Sequence, residues 1–228
     1  MGEKLNWRTN MKRLYIVVEG PSEQEFVNTV LRPYFNLYGI YNVTPILIRT
    51  SKSGKGGFVN YLHLKNTIKP LLASQKGDFI VSTFVDFFRI PNNIPNYEEC
   101  MRACGSNNKV LLLEQNIGND IGDRRFIPYI QLHEFEALLF ANNNGFKAYF
   151  TDDQALATDA IVNAFDNPEE INTHPEYAPS KRILSIKNDY NKPIEGNLIA
   201  LEIGITTILE RCPRFASWVN NLIEKCSS

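Results

Sequence analysis

The sequence predicts an α/β fold in which a small parallel sheet is flanked by helices and followed by a mainly helical C-terminal part. Three observations carry that expectation. Short apolar, β-branched runs alternate with segments of helical period through the first two thirds of the chain. Each return to a parallel strand needs a crossover, and the intervening helical segments supply one. Beyond residue 140 the strand pattern stops and only helical period remains. The 228 residues, 43% of them hydrophobic, suffice for a sizeable buried core.

Arg13–Val18 reads as a buried strand that ends in Glu19-Gly20-Pro21-Ser22. Pro21 suits the first turn of a helix, Ser22 with Glu25 fits a capping box, and the helix is expected to end near Tyr38-Gly39. A second strand is expected at 43–48. The loop from Ser51 to Gly57 is rich in glycine and lysine and exposes backbone N–H groups to an anion, but it lacks Walker spacing. A helix over 58–73 leads to a third strand, 78–85, which stops at Asp86. Two short helices are expected within 96–120. A fourth strand, 126–132, runs into His133-Glu134-Phe135-Glu136. Helices follow over 151–166, 179–189, 195–211 and 213–225. Residues 1–10 are expected to be a flexible extension, 11–140 the α/β core, and 141–228 a helical part packed on the same core.

Composition narrows the function classes. A formal net charge of −1 is not that of a generic nucleic-acid binder, although local basic patches remain available to a phosphate-rich substrate. The four cysteines, Cys100, Cys104, Cys212 and Cys226, include no C-x-x-C pair and are expected to stay free in a reducing compartment. The apolar run before Glu19 is too short for a signal or a membrane span, so a cytoplasmic protein without membrane contact is expected.

The chemistry is expected where the strands end. Open α/β sheets bind ligands beyond the carboxyl ends of their strands, and Glu19, Asp86, His133 and Glu134 all fall there. Glu23 and Glu136 lie one helical turn further on; Glu23 also suits an ordinary first-turn acid. Converging carboxylates repel, so a hard divalent cation, magnesium, manganese or calcium, is the natural compensation. Glu19, Asp86, Glu134 and Glu136 are the expected ligands. In a helix starting at His133, that residue would share a face with Glu136 and bind metal or phosphate, or hydrogen-bond to Glu136. Lys181 and Arg182 sit at a helix start that usually favours acids, which suits a phosphate contact. Lys55 is the corresponding cation of the glycine-rich loop.

The run Leu14–Glu25 (LYIVVEGPSEQE) resembles the opening of TOPRIM domains. With Thr44-Pro45-Ile46-Leu47, Phe84-Val85-Asp86, Ile90-Pro91, the HEFEALLF run from His133 to Phe140, Ala178-Pro179-Ser180-Lys181-Arg182 and Arg211-Cys212-Pro213, nearly the whole chain from Met11 is similar to a TOPRIM-like bacterial domain-of-unknown-function family (DUF4276). The resemblance implies a TOPRIM-like core in which Glu19 is the motif glutamate and Asp86 the first aspartate of a DxD motif. The second aspartate is Phe88 here, so one ligand is missing or supplied by Glu134 or Glu136. No tyrosine-nucleophile motif or primase zinc module is recognisable. Related TOPRIM proteins encoded beside ATPases act as nucleases in phage defence. The resemblance therefore implies a magnesium-dependent nuclease cutting DNA or RNA, regulated by an AAA- or ABC-type ATPase. Glu19, Asp86, His133, Glu134 and Lys181 would be catalytic, with Lys55 and Arg182 binding phosphate. The competing class is a non-catalytic TOPRIM-like module that binds nucleotide, nucleic acid or an ATPase.

Overall fold

The computed structural model describes residues 12–49, 58–74, 76–171 and 175–228. The expected extension 1–10 and Lys55, with the rest of its loop, lie outside the described residues. Strand β1 (Arg13–Val18) leads into α1 (Pro21–Phe26). A π-helical turn, Val27–Leu31, joins α1 to α2 (Arg32–Leu37) just before Pro33. Pro33 cannot donate to the preceding turn, and a π bulge absorbs the missing bond without ending the helix. Then come β2 (Val43–Leu47), α3 (Tyr61–Ser74) and β3 (Phe79–Asp86), followed by α4 (Tyr97–Arg102) and α5 (Ser106–Ile121).

The expected fourth strand forms as two short pieces, β4 (Phe126–Ile127) and β5 (Ile130–Gln131), both parallel to β3. Pro128 interrupts it because proline has no N–H for the ladder. Thr83 fills the gap. Its Oγ1 accepts the Tyr129 N–H at 2.7 Å and donates to the Tyr129 carbonyl at 2.7 Å. The sheet order is β2-β1-β3-β4, with β5 also beside β3. Pro45 is tolerated in β2 because that strand lies at the sheet edge.

Alternation along the strands divides the apolar residues into two layers. Leu14, Ile16, Val18, Ile80 and Phe84 face one core, closed by α1, α2 and the C-terminal helices. Val17, Phe79, Val81 and Val85 face a second core, built with α3 and α5. The C-terminal part comprises α6 (Asn144–Tyr149), α7 (Asp152–Ala164), α8 (Pro179–Ile186), α9 (Asn197–Ile203), α10 (Ile205–Arg211) and α11 (Pro213–Ser227). The single helix expected over 195–211 is broken at Gly204, whose φ of 80° a side chain would resist. Helix α11 belongs to the first core. Its Trp218 stacks on Tyr129 at 4.4 Å and on Phe84 at 5.5 Å, and its indole N–H donates to Ser82 Oγ at 2.9 Å. No helix among the described residues is long and apolar enough to cross a membrane.

Candidate functional site

Parallel registration of β1 and β3 pairs Val18 with Phe84, so Glu19, just past β1, and Asp86, the last residue of β3, emerge at one end of the sheet. Glu19 and Asp86 meet there: Glu19 Oε2 accepts the Asp86 N–H at 3.4 Å. Glu23, in the first turn of α1, is buried against the same edge. Gly20 permits this approach, since a Cβ there would sit 3.3 Å from Glu23 Oε2. Glu136 comes from a 3-10 helix, Phe135–Ala141, all of whose residues are buried.

Lys192 enters this group from the C-terminal part. Its Nζ lies 3.1 Å from Glu136, 3.2 Å from Glu23 and 3.4 Å from Asp86. The segment is held from both sides. Asn197 Nδ2 donates to the Ser22 carbonyl at 3.1 Å and the Pro193 carbonyl at 3.0 Å, tying the lysine's π-helical turn, Lys192–Gly196, to the start of α1. Gly196 packs so closely that a Cβ would come within 2.6 Å of the Tyr190 hydroxyl.

The electrostatics are those of too many acids in one dry place. Burial raises the Asp86 carboxyl well above the ordinary range; Lys192 opposes this, while Glu23, Glu19 and Glu136 add repulsion. Burial likewise raises Glu19, against a hydrogen bond from the Phe58 backbone and with repulsion from Glu23. Glu136 is pushed up to about 7 by burial, with Lys192 opposing. Burial works to discharge Lys192, but Asp86, Glu136 and Glu23 overcome it and hold its pKa above the usual lysine range. The cation beside Glu136 is the Lys192 ammonium, 3.1 Å from its Oε2.

Glu134 stands close enough to Glu136 to add repulsion to it, and its carboxylate has partners of its own. Its two oxygens accept the Ser180 N–H and the Ser180 hydroxyl, each at 2.9 Å, which caps the start of α8. Helix α8 opens with Pro179, so the Ser180 N–H is one that no earlier turn satisfies, and the nearest carboxylate takes it. His133 does not share a face with Glu136. Its φ of 65° makes a turn before the 3-10 helix, and its ring pairs with the Glu169 backbone. Burial lowers its pKa to about 4. Arg182 is engaged structurally, donating to the carbonyls of Tyr177 at 2.8 Å and Ile171 at 3.2 Å. Lys181 is exposed on α8. Sequence reasoning did not single out Lys192, which carries no motif. Glu23 did leave a signal, since it follows Glu19 by one helical turn.

A divalent cation has a specific fit to test here. The donors Glu19, Glu23, Asp86 and Glu136 are all oxygen, the chemistry of magnesium or manganese. The Lys192 ammonium already stands among them as a cation, which shows that the cluster demands positive charge. As arranged around that ammonium, no three acidic, histidine or cysteine side chains among the described residues form a ready metal cage. In this arrangement the lysine ammonium, and not a metal cage, compensates the carboxylates.

A family model described as "Domain of unknown function (DUF4276)" matches residues 18–223. Among solved structures, the chain is similar to the C-terminal region of the Burkholderia pseudomallei OLD protein, at 15% identity and a TM-score of 0.47, covering 95% of this chain and 97% of that one. It is also similar to the corresponding region of the Xanthomonas campestris pv. campestris OLD protein, at 13% identity and a TM-score of 0.45, covering 95% of both chains. No curated protein matches the chain in sequence.

Proposed function

The chain belongs to the DUF4276 family, and we propose that it is a metal-dependent phosphodiesterase that cuts nucleic acid. One observation carries the reading: four carboxylates and a lysine, drawn from distant segments, gather beyond the ends of two adjacent parallel strands. The position of the cluster agrees with the rule for open α/β sheets, and the TOPRIM resemblance of the Glu19 and Asp86 segments points to the same chemistry.

Glu19, Glu23, Asp86 and Glu136 would hold magnesium or manganese. Such an ion, when bound, supplies an activated water and neutralises charge on a phosphoryl group. Asp86 is preorganised for this, because its Oδ1 accepts the Phe135 N–H at 2.9 Å and its Oδ2 faces Lys192. Lys192, relieved of its carboxylates, has a charged donor free for a phosphate oxygen. Lys181 offers a second phosphate contact from α8. An AAA- or ABC-type ATPase, implied by the resemblance, would control access.

The test compares wild type with Glu19→Gln and Asp86→Asn on single-stranded, duplex and structured substrates with manganese. The variants are expected to lose about a hundredfold or more in rate, since metal stabilisation is worth several kcal/mol and about 1.4 kcal/mol is tenfold. Manganese binding, followed by calorimetry, should weaken in parallel. Equal cutting by variants and wild type would overturn the assignment. The second reading, a non-catalytic module, draws on the Lys192 ion pairs and on Phe88 in the second acidic position of the motif. It requires that wild type cut none of these substrates.

A further inference from the structure

The turn after β3 carries an aromatic and guanidinium pair that carboxylate chemistry leaves unused. Its main chain is pinned. The Phe87 N–H donates to the Gln131 carbonyl at 2.9 Å, the Phe88 N–H to His133 at 2.7 Å, and the Ile90 N–H to Phe87 at 3.1 Å. Phe87 packs on the α3 and α5 core. Phe88 belongs to neither core and is only half-buried. Arg89 is exposed, and its guanidinium carbon lies 5.2 Å from the Phe88 ring centroid. Arg89 also holds a left-handed φ of 58°, a conformation that costs a residue with a side chain of order 1 kcal/mol. A strained, pinned turn thus leaves part of a phenyl ring accessible outside both cores, with a guanidinium beside it.

We infer that Phe88 and Arg89 form a stacking platform for an unpaired nucleotide, and that the substrate is a single-stranded nucleic acid laid across the carboxyl edge of the sheet. The inference rests on the phosphodiesterase reading above. Phe88 follows Asp86 by two residues, so its backbone lies within about 7 Å of the candidate metal ligand. An aromatic face accepts any base by stacking, and the arginine adds both a planar partner and a charge for the phosphate. A duplex hides its base faces, so an unpaired base alone can use the platform. Arg49, exposed just past β2, offers a second cation on the same edge. It lies on the far side of β1, where β2 and β3 are about 10 Å apart at ordinary strand spacing.

The experiment uses the full chain with Phe88→Leu, which keeps an apolar side chain but no ring, and Phe88→Tyr, which restores the ring. Fluorescence anisotropy would follow labelled single-stranded DNA, single-stranded RNA and duplex DNA of one sequence, in EDTA and in manganese, with cleavage measured in parallel. Phe88→Leu is expected to lose about tenfold in affinity for at least one single strand, the scale of one stacked base. Phe88→Tyr should bind as wild type does, and duplex affinity should not move. Unchanged single-strand affinity in Phe88→Leu, with cleavage intact, overturns the platform and leaves the phosphodiesterase reading standing. An equal loss on duplex overturns it too. Wild type that binds no nucleic acid removes both.

Discussion

Two buried charge clusters in this protein are built on opposite principles. In the first, Glu114 on α5 accepts the Ile130 N–H at 2.7 Å and pairs with the Arg214 guanidinium. Arg214 Nη1 also donates to the Ile130 carbonyl at 2.6 Å, while the Glu169 oxygens accept the N–H groups of Arg214 at 2.8 Å and Phe215 at 3.1 Å, capping α11. Only Arg214 Nε lacks a partner there among the described residues. In the second cluster, Glu19, Glu23, Asp86 and Glu136 share a single lysine. A structural network saturates its buried charges, because an unsatisfied one costs several kcal/mol. The second cluster holds more buried acids than cations, and the proposed metal would supply the missing charge.

Removing the cation from each cluster is the sharpest way to break that contrast. Arg214→Ala should lose about 3–5 kcal/mol of stability in urea titrations, as buried pairs do when one partner is deleted. Manganese should restore none of it. Lys192→Met should cost about 3 kcal/mol at neutral pH by the same logic, and millimolar manganese should recover most of the loss. Identical behaviour of the two variants toward manganese would erase the distinction.

The pH dependence sharpens it further, because Glu136 and His133, which pairs with the Glu169 backbone beside the first cluster, titrate with opposite sign. Glu136 has a folded pKa of about 7 against an ordinary 4.5, so the folded state holds the extra proton and stability falls as pH rises through that window. His133 has a folded pKa of about 4 against 6.5, so the unfolded state holds the extra proton and stability falls as pH drops through that window. Each shift is worth roughly 1–3 kcal/mol, and in wild type the two largely offset between pH 4.5 and 6.5. Glu136→Gln should therefore show a steeper acid loss than wild type in denaturation curves at stepped pH. His133→Gln should instead become more stable on acidification toward pH 5. Parallel profiles for the two variants would contradict the assignment.

The smallest effect is a control away from both clusters. Thr151 caps α7 in a reciprocal capping box with Gln154. Thr151→Ala should cost about 1 kcal/mol and leave manganese binding untouched. A change in metal affinity there would mean that the cluster responds to global stability rather than to its own charges.

Much of the scaffold was legible because its causes are local. Apolar runs bounded by glycine, proline and acids marked β1, β2 and β3, and helical period marked most of the helices. Glu19 and Asp86 were legible as a pair because parallel strands bring their carboxyl ends to one edge. The split of β4 from β5 followed from Pro128, yet the rescue by Thr83 lay on another strand. His133 and Glu136 were expected on one helical face; the left-handed turn at His133 and the tighter 3-10 winding after it separated them.

By itself, then, the sequence determined an α/β scaffold, its parallel sense and the edge at which acids would collect, since period, turn chemistry and strand polarity act over a few residues. Tertiary structure alone decided which acids share that edge and what stands among them. Glu134 was tied to an N–H at the start of α8, a helix more than 40 residues downstream. Lys192 reached Asp86 across 106 residues of chain, held there by Asn197 and the close packing at Gly196. A contact of that span leaves no periodic trace, because it depends on how separately formed layers close on one another.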